Sequence, residues 1–217
     1  MKAQAQAKLY SQIIEHYEDC LARHGDSHRG VDWPNPQDAA TRYRVMLEVI
    51  RSQQERMSLL DFGCGAAHLY EYIQQQHLSQ IDYAGLDLSA DFIVLSKSKF
   101  PTRPFYHVDI LAEEETSLPS FDYIILNGVL TEKLNMSFEE MWDYTQRLLC
   151  AVFAKARCGI AFNVMSKQVD WERADLFHLP LDLLTGFLTR ELSRHFNVRH
   201  DYGLYEYTTY VYRSPQQ

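Results

Sequence analysis

The strongest chemical signature lies in one turn. Leu59-Leu60-Asp61-Phe62-Gly63-Cys64-Gly65-Ala66-Ala67 is an apolar run that passes into small residues and then into a helix-forming segment. Glycine lets the backbone turn sharply and lets a ligand approach where a Cβ would stand. The helix that follows offers free N–H groups at its N-terminus. Two acids follow in order: Asp87, 24 residues beyond Gly63, ends the run Gly85-Leu86-Asp87-Leu88, and Asp109 ends Val108-Asp109-Ile110. A carboxylate at the tip of a second strand can accept both hydroxyls of a ribose, and one at the tip of a third can accept from the exocyclic amine of an adenine. Either acid alone reads as well as a helix cap or a solvated strand end; three ordered strand-end features favour a nucleoside pocket. The turn is not the dinucleotide fingerprint, which needs a third glycine where this chain has His68, and no Gly-Lys-Ser or Gly-Lys-Thr marks a P-loop.

The elements that must position these residues alternate. Short apolar runs at 58–62, 83–88, 105–108, 123–126 and 159–164 read as strands, with helical stretches near 66–76, 90–99 and 137–155 between them. That alternation predicts a parallel sheet covered by helices on both faces. Ahead of it, Leu9, Ile13, Ile14, Tyr17 and Leu21 recur at helical spacing over 3–22, a loop follows, and a second helix starts at Pro36. After a loop at 166–179, residues 180–195 read as a further helix. Two aromatic strands, 196–202 and 205–212, meet at Gly203-Leu204, a connection so tight that only antiparallel pairing fits. In the second of them, alternation places Tyr205 and Tyr207 on one face and Glu206 and Thr208 on the other.

The length of 217 residues, 46% of them hydrophobic, fits one domain. Lys plus Arg number 21 against 29 Asp plus Glu, a net charge of −8 that disfavours a protein built to grip a phosphate backbone. Cysteines 20, 64, 150 and 158 include no Cys-x-x-Cys pair, so neither a disulfide framework nor a zinc knuckle is indicated; free thiols in a reducing cytosol are expected, with no metal site. The first 20 residues lack an apolar signal region, and no apolar run approaches the roughly 20 residues that span a bilayer. A cytoplasmic protein without membrane contact is the expectation. The tracts Gln74-Gln75-Gln76 and Glu113-Glu114-Glu115 read as solvated faces.

Asp61-Phe62-Gly63-Cys64-Gly65, Asp87-Leu88-Ser89, Asp109-Ile110 and Phe121-Asp122-Tyr123-Ile124-Ile125 resemble the successive motifs of class I S-adenosylmethionine-dependent methyltransferases over about residues 58–165. The resemblance implies a Rossmann-like, doubly wound α/β fold, with a mostly parallel seven-stranded sheet, a C-terminal antiparallel hairpin and helices on both faces. It implies a single methyltransferase domain, 1–217: N-terminal helices and a lid-like loop at 1–57, the cofactor core at 58–165, and a helix and the hairpin at 166–217. By resemblance, Asp61, Gly63, Cys64 and Gly65 belong to the turn under the methionine part of S-adenosylmethionine. Asp87 holds the ribose, Leu88 and Phe92 flank the adenine, and Asp109 with Ile110 meets its edge. Asn127 and Gly128 lie near the sulfonium. Ala67 replaces a glycine frequent at the third small position. A narrower resemblance, carried by His16-Tyr17, Gly30-Val31-Asp32-Trp33, Arg42-Tyr43, Ala161-Phe162-Asn163 and 200–208, is to a bacterial subgroup of small-molecule methyltransferases, often met beside surface-polysaccharide or specialised-metabolite enzymes. It implies Arg42 for the cofactor carboxylate.

Methyl transfer from a sulfonium is an in-line displacement, so positioning dominates. An amine acceptor need only be neutral, whereas a hydroxyl needs a base. Asn127 is not followed by Pro-Pro-Tyr, neither Cys150 nor Cys158 adjoins a proline at a strand end, and no Asp/Asn cluster has magnesium spacing. A small N- or O-nucleophile remains, with Tyr17, Trp33, Asn163, His200, Tyr202 and Glu206 as candidate substrate contacts. His200 is the candidate base, because its pKa is poised near neutrality, and Asn163 a candidate catalytic residue. Against these stand a solvated histidine, a helix-capping asparagine and a loop tryptophan packed on the core. His16, His68, His107 and His178 show no ligand-like spacing. The partner expected is a small molecule; the oligomer is left open between monomer and homodimer. The alternatives are a tRNA or other nucleic-acid methyltransferase, for which Arg190, Arg194, His195, Arg199 and His200 offer a modest basic stretch beside Asp182 and Glu191, a non-catalytic cofactor-binding partner, and a nicotinamide oxidoreductase.

Overall fold

A computed structural model of the protein describes residues 2–51, 55–112 and 118–216. In chain order the elements are α1 (Lys2–His24), α2 (Pro36–Leu47), β1 (Met57–Phe62), α3 (His68–Gln75), β2 (Ile81–Asp87), α4 (Ala90–Lys99), β3 (Phe105–His107), β4 (Phe121–Leu126), α5 (Phe138–Lys155), β5 (Ala156–Ser166), β6 (His178–Leu179), α6 (Leu181–Phe187), β7 (Phe196–Arg199) and β8 (Glu206–Tyr212). Helix starts follow local chemistry. Ser137 accepts from the Glu140 N–H at 3.1 Å while the Glu140 carboxylate accepts from the Ser137 N–H at 2.8 Å, a reciprocal cap that opens α5. Asn35 caps α2 ahead of Pro36, and Ser89 caps α4.

The strands form one sheet in the order β3-β2-β1-β4-β5-β8-β7. Pairing is parallel from β3 through β5 and antiparallel for β5 with β8 and β8 with β7. The doubly wound sheet with its terminal hairpin is therefore present, along with an eighth strand: β6 pairs parallel with the end of β5 through Met165 and His178, inside the segment expected to be loop. Two residues are too few for a period to show. The hairpin also differs, because its strands stop at Arg199 and resume at Glu206, so 200–205 is a longer connection and Tyr205 precedes the strand. The helix expected over 180–195 is α6 followed by a π-helical turn, Leu188–Leu192.

Both faces of the sheet are covered, so its central strands are apolar throughout rather than alternating. Leu60, Ile124, Leu126, Ile160 and Phe162 join the core beneath α5 and α6. Leu59, Tyr83, Tyr123, Ile125 and Ala161 join the core with residues of α2 and α3. Between β1 and β4 the strand order reverses direction, opening a crevice at their carboxyl ends, where open α/β sheets bind ligands. Gln74, Gln75 and Gln76 are exposed as expected; Glu113, Glu114 and Glu115 lie outside the described residues. Among the described residues, no helix is long and apolar enough to cross a membrane.

Candidate functional site

The crevice is an open cleft. Its floor is the turn after β1. The Gly63 and Cys64 N–H groups both donate to the Leu86 carbonyl, at 2.7 and 2.9 Å, bending the chain back across the end of β2. Gly63 and Gly65 have φ of +75° and +50°, in the left-handed region that glycine adopts without strain. Ala67 takes φ +58° at the start of α3 with no side-chain cap, so alanine fills the third small position in a glycine conformation. The Cys64 thiol is buried and burial, then the charges of Asp87 and Asp61, push its pKa well up; it is an inert wall atom, not a thiolate.

Asp87 stands at the tip of β2. Its Oδ2 accepts from the Gly65 N–H at 2.8 Å and its Oδ1 from the Ser89 N–H at 2.9 Å. Burial raises its pKa, while the N–H groups of Ser89, Gly65 and Leu88 work to keep it ionised. Asp61 is buried behind the turn and accepts from the Tyr83 hydroxyl at 2.8 Å; burial pushes its pKa to about 7, Tyr83 opposing and the Asp87 charge adding.

Of the expected site residues, Asp61, Gly63, Cys64, Gly65, Asp87, Leu88, Phe92, Asn127, Gly128, Tyr17 and Trp33 line the cleft. Helix α1 forms one wall with Tyr10, Ile13, Ile14 and Tyr17. The loop ahead of α2 contributes Val31 and Trp33, and the Trp33 ring lies 3.6 Å from where a Cβ on Gly128 would stand. Asn127 Oδ1 is buried there without a hydrogen-bond partner, an acceptor held out of water.

Arg42, Asp109, Ile110, Asn163, His200, Tyr202 and Glu206 do not line the cleft. Asp109 is turned to α1: its Oδ2 accepts from the Tyr10 hydroxyl at 2.5 Å and its Oδ1 from the Leu111 N–H at 2.9 Å. Arg42 is held by Glu206 through Nε at 3.0 and 2.9 Å and Nη2 at 2.8 Å. Asn163 is fully buried, donating to Glu206 at 2.9 Å and accepting the Gly128 N–H at 2.8 Å. Tyr202 bonds Thr208 at 2.9 Å. His200 is exposed in the 200–205 connection, its ring edge-on to Tyr207 at 6.2 Å.

Three features escaped the linear reading. Tyr10, three residues ahead of Ile13 on the apolar stripe, stacks on Tyr144 at 5.4 Å and closes the Asp109 side. His16 Nε2 meets Asp32 Oδ2 at 2.8 Å, tying α1 to the Trp33 loop. Cys20 Sγ lies 3.9 Å from the same nitrogen, and Arg23 donates to that sulfur at 3.5 Å, so this group already contains a cation. Glu132, half-buried nearby, is pushed up to about 7 by burial and then by the Asp32 charge. The helical stripe signalled a covered face on α1, but no spacing signals which loop covers it.

The glycine turn, the strand-tip acid Asp87, the aromatic walls and the unpaired Asn127 acceptor fit a nucleoside joined to an amino-acid tail. Residues 60–151 match the methyltransferase domain family. Fold, site and match together support a class I S-adenosylmethionine-dependent methyltransferase, with S-adenosylmethionine as its cofactor. The chain is 27% identical over 156 residues to Rv1506c, a Mycobacterium tuberculosis protein assigned to the methyltransferases, covering 71% of this chain and 92% of that one. Among solved structures it shares its fold with the magnesium protoporphyrin IX methyltransferase of Synechocystis with bound S-adenosylmethionine (14% identity, TM-score 0.59, 98% of this chain and 97% of that one). It shares it also with the plantazolicin methyltransferase BpumL (14% identity, TM-score 0.56, 95% and 98%).

Proposed function

We propose that the protein transfers a methyl group to a nitrogen or oxygen of a small polar molecule. The observation that carries this reading is the cleft at the β1–β4 crevice, which joins the glycine turn to Asp87 and is walled by the chain's own α1 and Trp33 loop. A cleft walled that way suits a small acceptor, and a chain of net charge −8 offers little to a polyanion. The relatives' names agree in kind, since magnesium protoporphyrin IX and plantazolicin are small molecules.

When bound, S-adenosylmethionine supplies an electrophilic methyl group on a sulfonium. Asp87 would accept from the ribose hydroxyls, its carboxylate already aimed by the Gly65 and Ser89 N–H groups. Leu88 and Phe92 would enclose the adenine, and the Asn127 acceptor would take a proton donor from the amino-acid tail. Tyr17 and Trp33 would seat the acceptor and exclude water. An amine acceptor would need no protein base; a hydroxyl would need one, and His16 and Asp32, paired at 2.8 Å, adjoin the cleft-lining Tyr17 and Trp33 in the chain, which His200 does not.

Calorimetry with S-adenosylhomocysteine, followed by incubation of the protein with methyl-labelled S-adenosylmethionine and a bacterial metabolite extract, tests the reading. Saturable binding and a labelled small product are expected. Tight NADH binding without response to S-adenosylhomocysteine would replace it with an oxidoreductase, and binding that never yields product would replace it with a non-catalytic partner.

A further inference from the structure

A continuous chain of contacts beside the cleft joins five parts of the fold. Arg42 on α2 grips Glu206, the first residue of β8, with three contacts of 2.8–3.0 Å. Glu206 Oε1 accepts from Asn163 Nδ2 on β5 at 2.9 Å, and Asn163 Oδ1 accepts from the Gly128 N–H, past the end of β4, at 2.8 Å. Gly128 at φ +81° lies under the Trp33 ring, and the Arg42 guanidinium sits 4.9 Å from the centroid of that same ring. The chain of contacts therefore closes into a ring: Trp33, Arg42, Glu206, Asn163, Gly128 and back to Trp33.

Two arguments set this ring apart from ordinary packing. The Glu206 side chain is 2% exposed and that of Arg42 18%, so the pair is desolvated, and such pairs seldom stabilise a fold over an apolar replacement. The Glu206, Asn163 and Gly128 groups of the ring are also committed to a single orientation. Glu206 aims the Asn163 amide, since its carboxylate can only accept and so takes the NH₂ side, which leaves the Asn163 oxygen for Gly128. The Gly128 carbonyl is held from its other side by the Thr131 hydroxyl at 2.8 Å. Both polar groups of the residue that follows Asn127 are thus fixed.

We infer that Glu206 is a positioning residue that, through Arg42 and Asn163, couples seating of Trp33 on the cleft to the shape of the Asn127-Gly128 turn. The loop and the turn then change together. This gives Arg42 a different task from the cofactor-carboxylate contact its motif implies. The inference rests on the cofactor reading for its consequence in binding, but the coupling itself exists in the free protein.

The test uses Arg42→Lys, which keeps the charge but loses the two-pronged grip, together with Asn163→Ala and the double variant. Three readouts apply: hydrogen exchange of the Gly128 amide, acrylamide quenching of Trp33 in a Trp142→Phe/Trp171→Phe background, and S-adenosylhomocysteine affinity. Arg42→Lys is expected to speed Gly128 exchange on the order of tenfold although Arg42 does not touch Gly128, and Asn163→Ala to raise Trp33 quenching although Asn163 does not touch Trp33. The double variant should lose no more affinity than the worse single variant, as members of one unit do. Gly128 exchange within twofold of wild type in Arg42→Lys, or affinity losses that multiply, would overturn the coupling. Should Asn163→Ala fail to fold, the Arg42→Lys arm still decides. If wild type does not bind S-adenosylhomocysteine, the cofactor reading fails while exchange and quenching still judge the ring; if it binds and Arg42→Lys changes nothing, the ring alone fails.

Discussion

Asp87 at the tip of β2 receives the backbone N–H of Gly65 at 2.8 Å, so the acid that would hold a ribose is anchored by the turn that would pass beneath the cofactor. The turn and the acid are one unit, although 22 residues separate them. Asp87→Ala is expected to weaken S-adenosylhomocysteine binding by about 10- to 100-fold, the scale of hydrogen bonds to a charged group. Circular dichroism should show the fold retained. An unchanged affinity by calorimetry would remove Asp87 from the ribose.

Gly63 has little room for a side chain: a Cβ there would stand 2.6 Å from Val129 Cγ2, at a φ of +75°. Gly63→Ala should destabilise the protein by about 1–3 kcal/mol from strain and overlap. Adding Val129→Ala should return the overlap part but not the backbone part. Chemical denaturation of the single and double variants measures both, and a double variant no more stable than Gly63→Ala would refute the contact.

Asp61 sets a pH dependence whose sign follows from its raised pKa. Burial, its largest cause, carries it from 3.8 unfolded to about 7 folded, so between those values the folded state keeps a proton that the unfolded state has lost. That contribution to stability is full below about pH 4 and is lost as pH rises to about 7. Glu132, also raised to about 7 by burial first, acts in the same direction, so wild type alone cannot isolate Asp61. Asp61→Asn carries no such penalty and still accepts from Tyr83. Its stability relative to wild type should climb by roughly 1–3 kcal/mol from pH 4 to pH 8, each pKa unit being about 1.4 kcal/mol. A flat difference across that range would show that Asp61 is ionised in the fold.

The basic stretch near the hairpin is partly cancelled: Arg199 pairs with both Glu48 and Asp201. Filter binding of bulk tRNA should give no retention at about 150 mM salt, and any weak retention at low salt should disappear steeply as salt rises. Saturable, salt-tolerant tRNA binding would favour the nucleic-acid reading of the acceptor.

The glycine turn and the acid at the tip of β2 were legible because their signals are local, whereas Asp109 and Ile110, expected at the same pocket, lie outside the cleft. Gly63, Gly65 and Asp87 each sit where a strand ends, and strand ends are marked by apolar runs breaking into small or charged residues. Helix caps at Asn35, Ser89 and Ser137 are local in the same sense. The acceptor half was legible only in residue types. Asn163 and Glu206, and Arg42 on the cofactor side, were recognisable as polar residues worth a role, but the roles drawn for them were contacts to ligand, whereas they contact one another. His200 shows the limit plainly, since a favourable pKa class says nothing about the direction a connection takes.

Residue order alone settled where the central strands and most helices lie, though not β6 or the ends of the hairpin strands, that the central strands are buried on both faces, and which turn a cofactor could approach; each depends on periodicity or on neighbours a few residues apart. Tertiary structure decided the rest. Arg42 and Glu206 are 164 residues apart and Tyr10 and Asp109 are 99 apart, and no propensity or spacing acts over such distances. Those pairs form because the sheet brings β5 and β8 together under α2 and lays α1 across the strand ends, so that a buried charge or hydroxyl must take whatever partner the packing delivers.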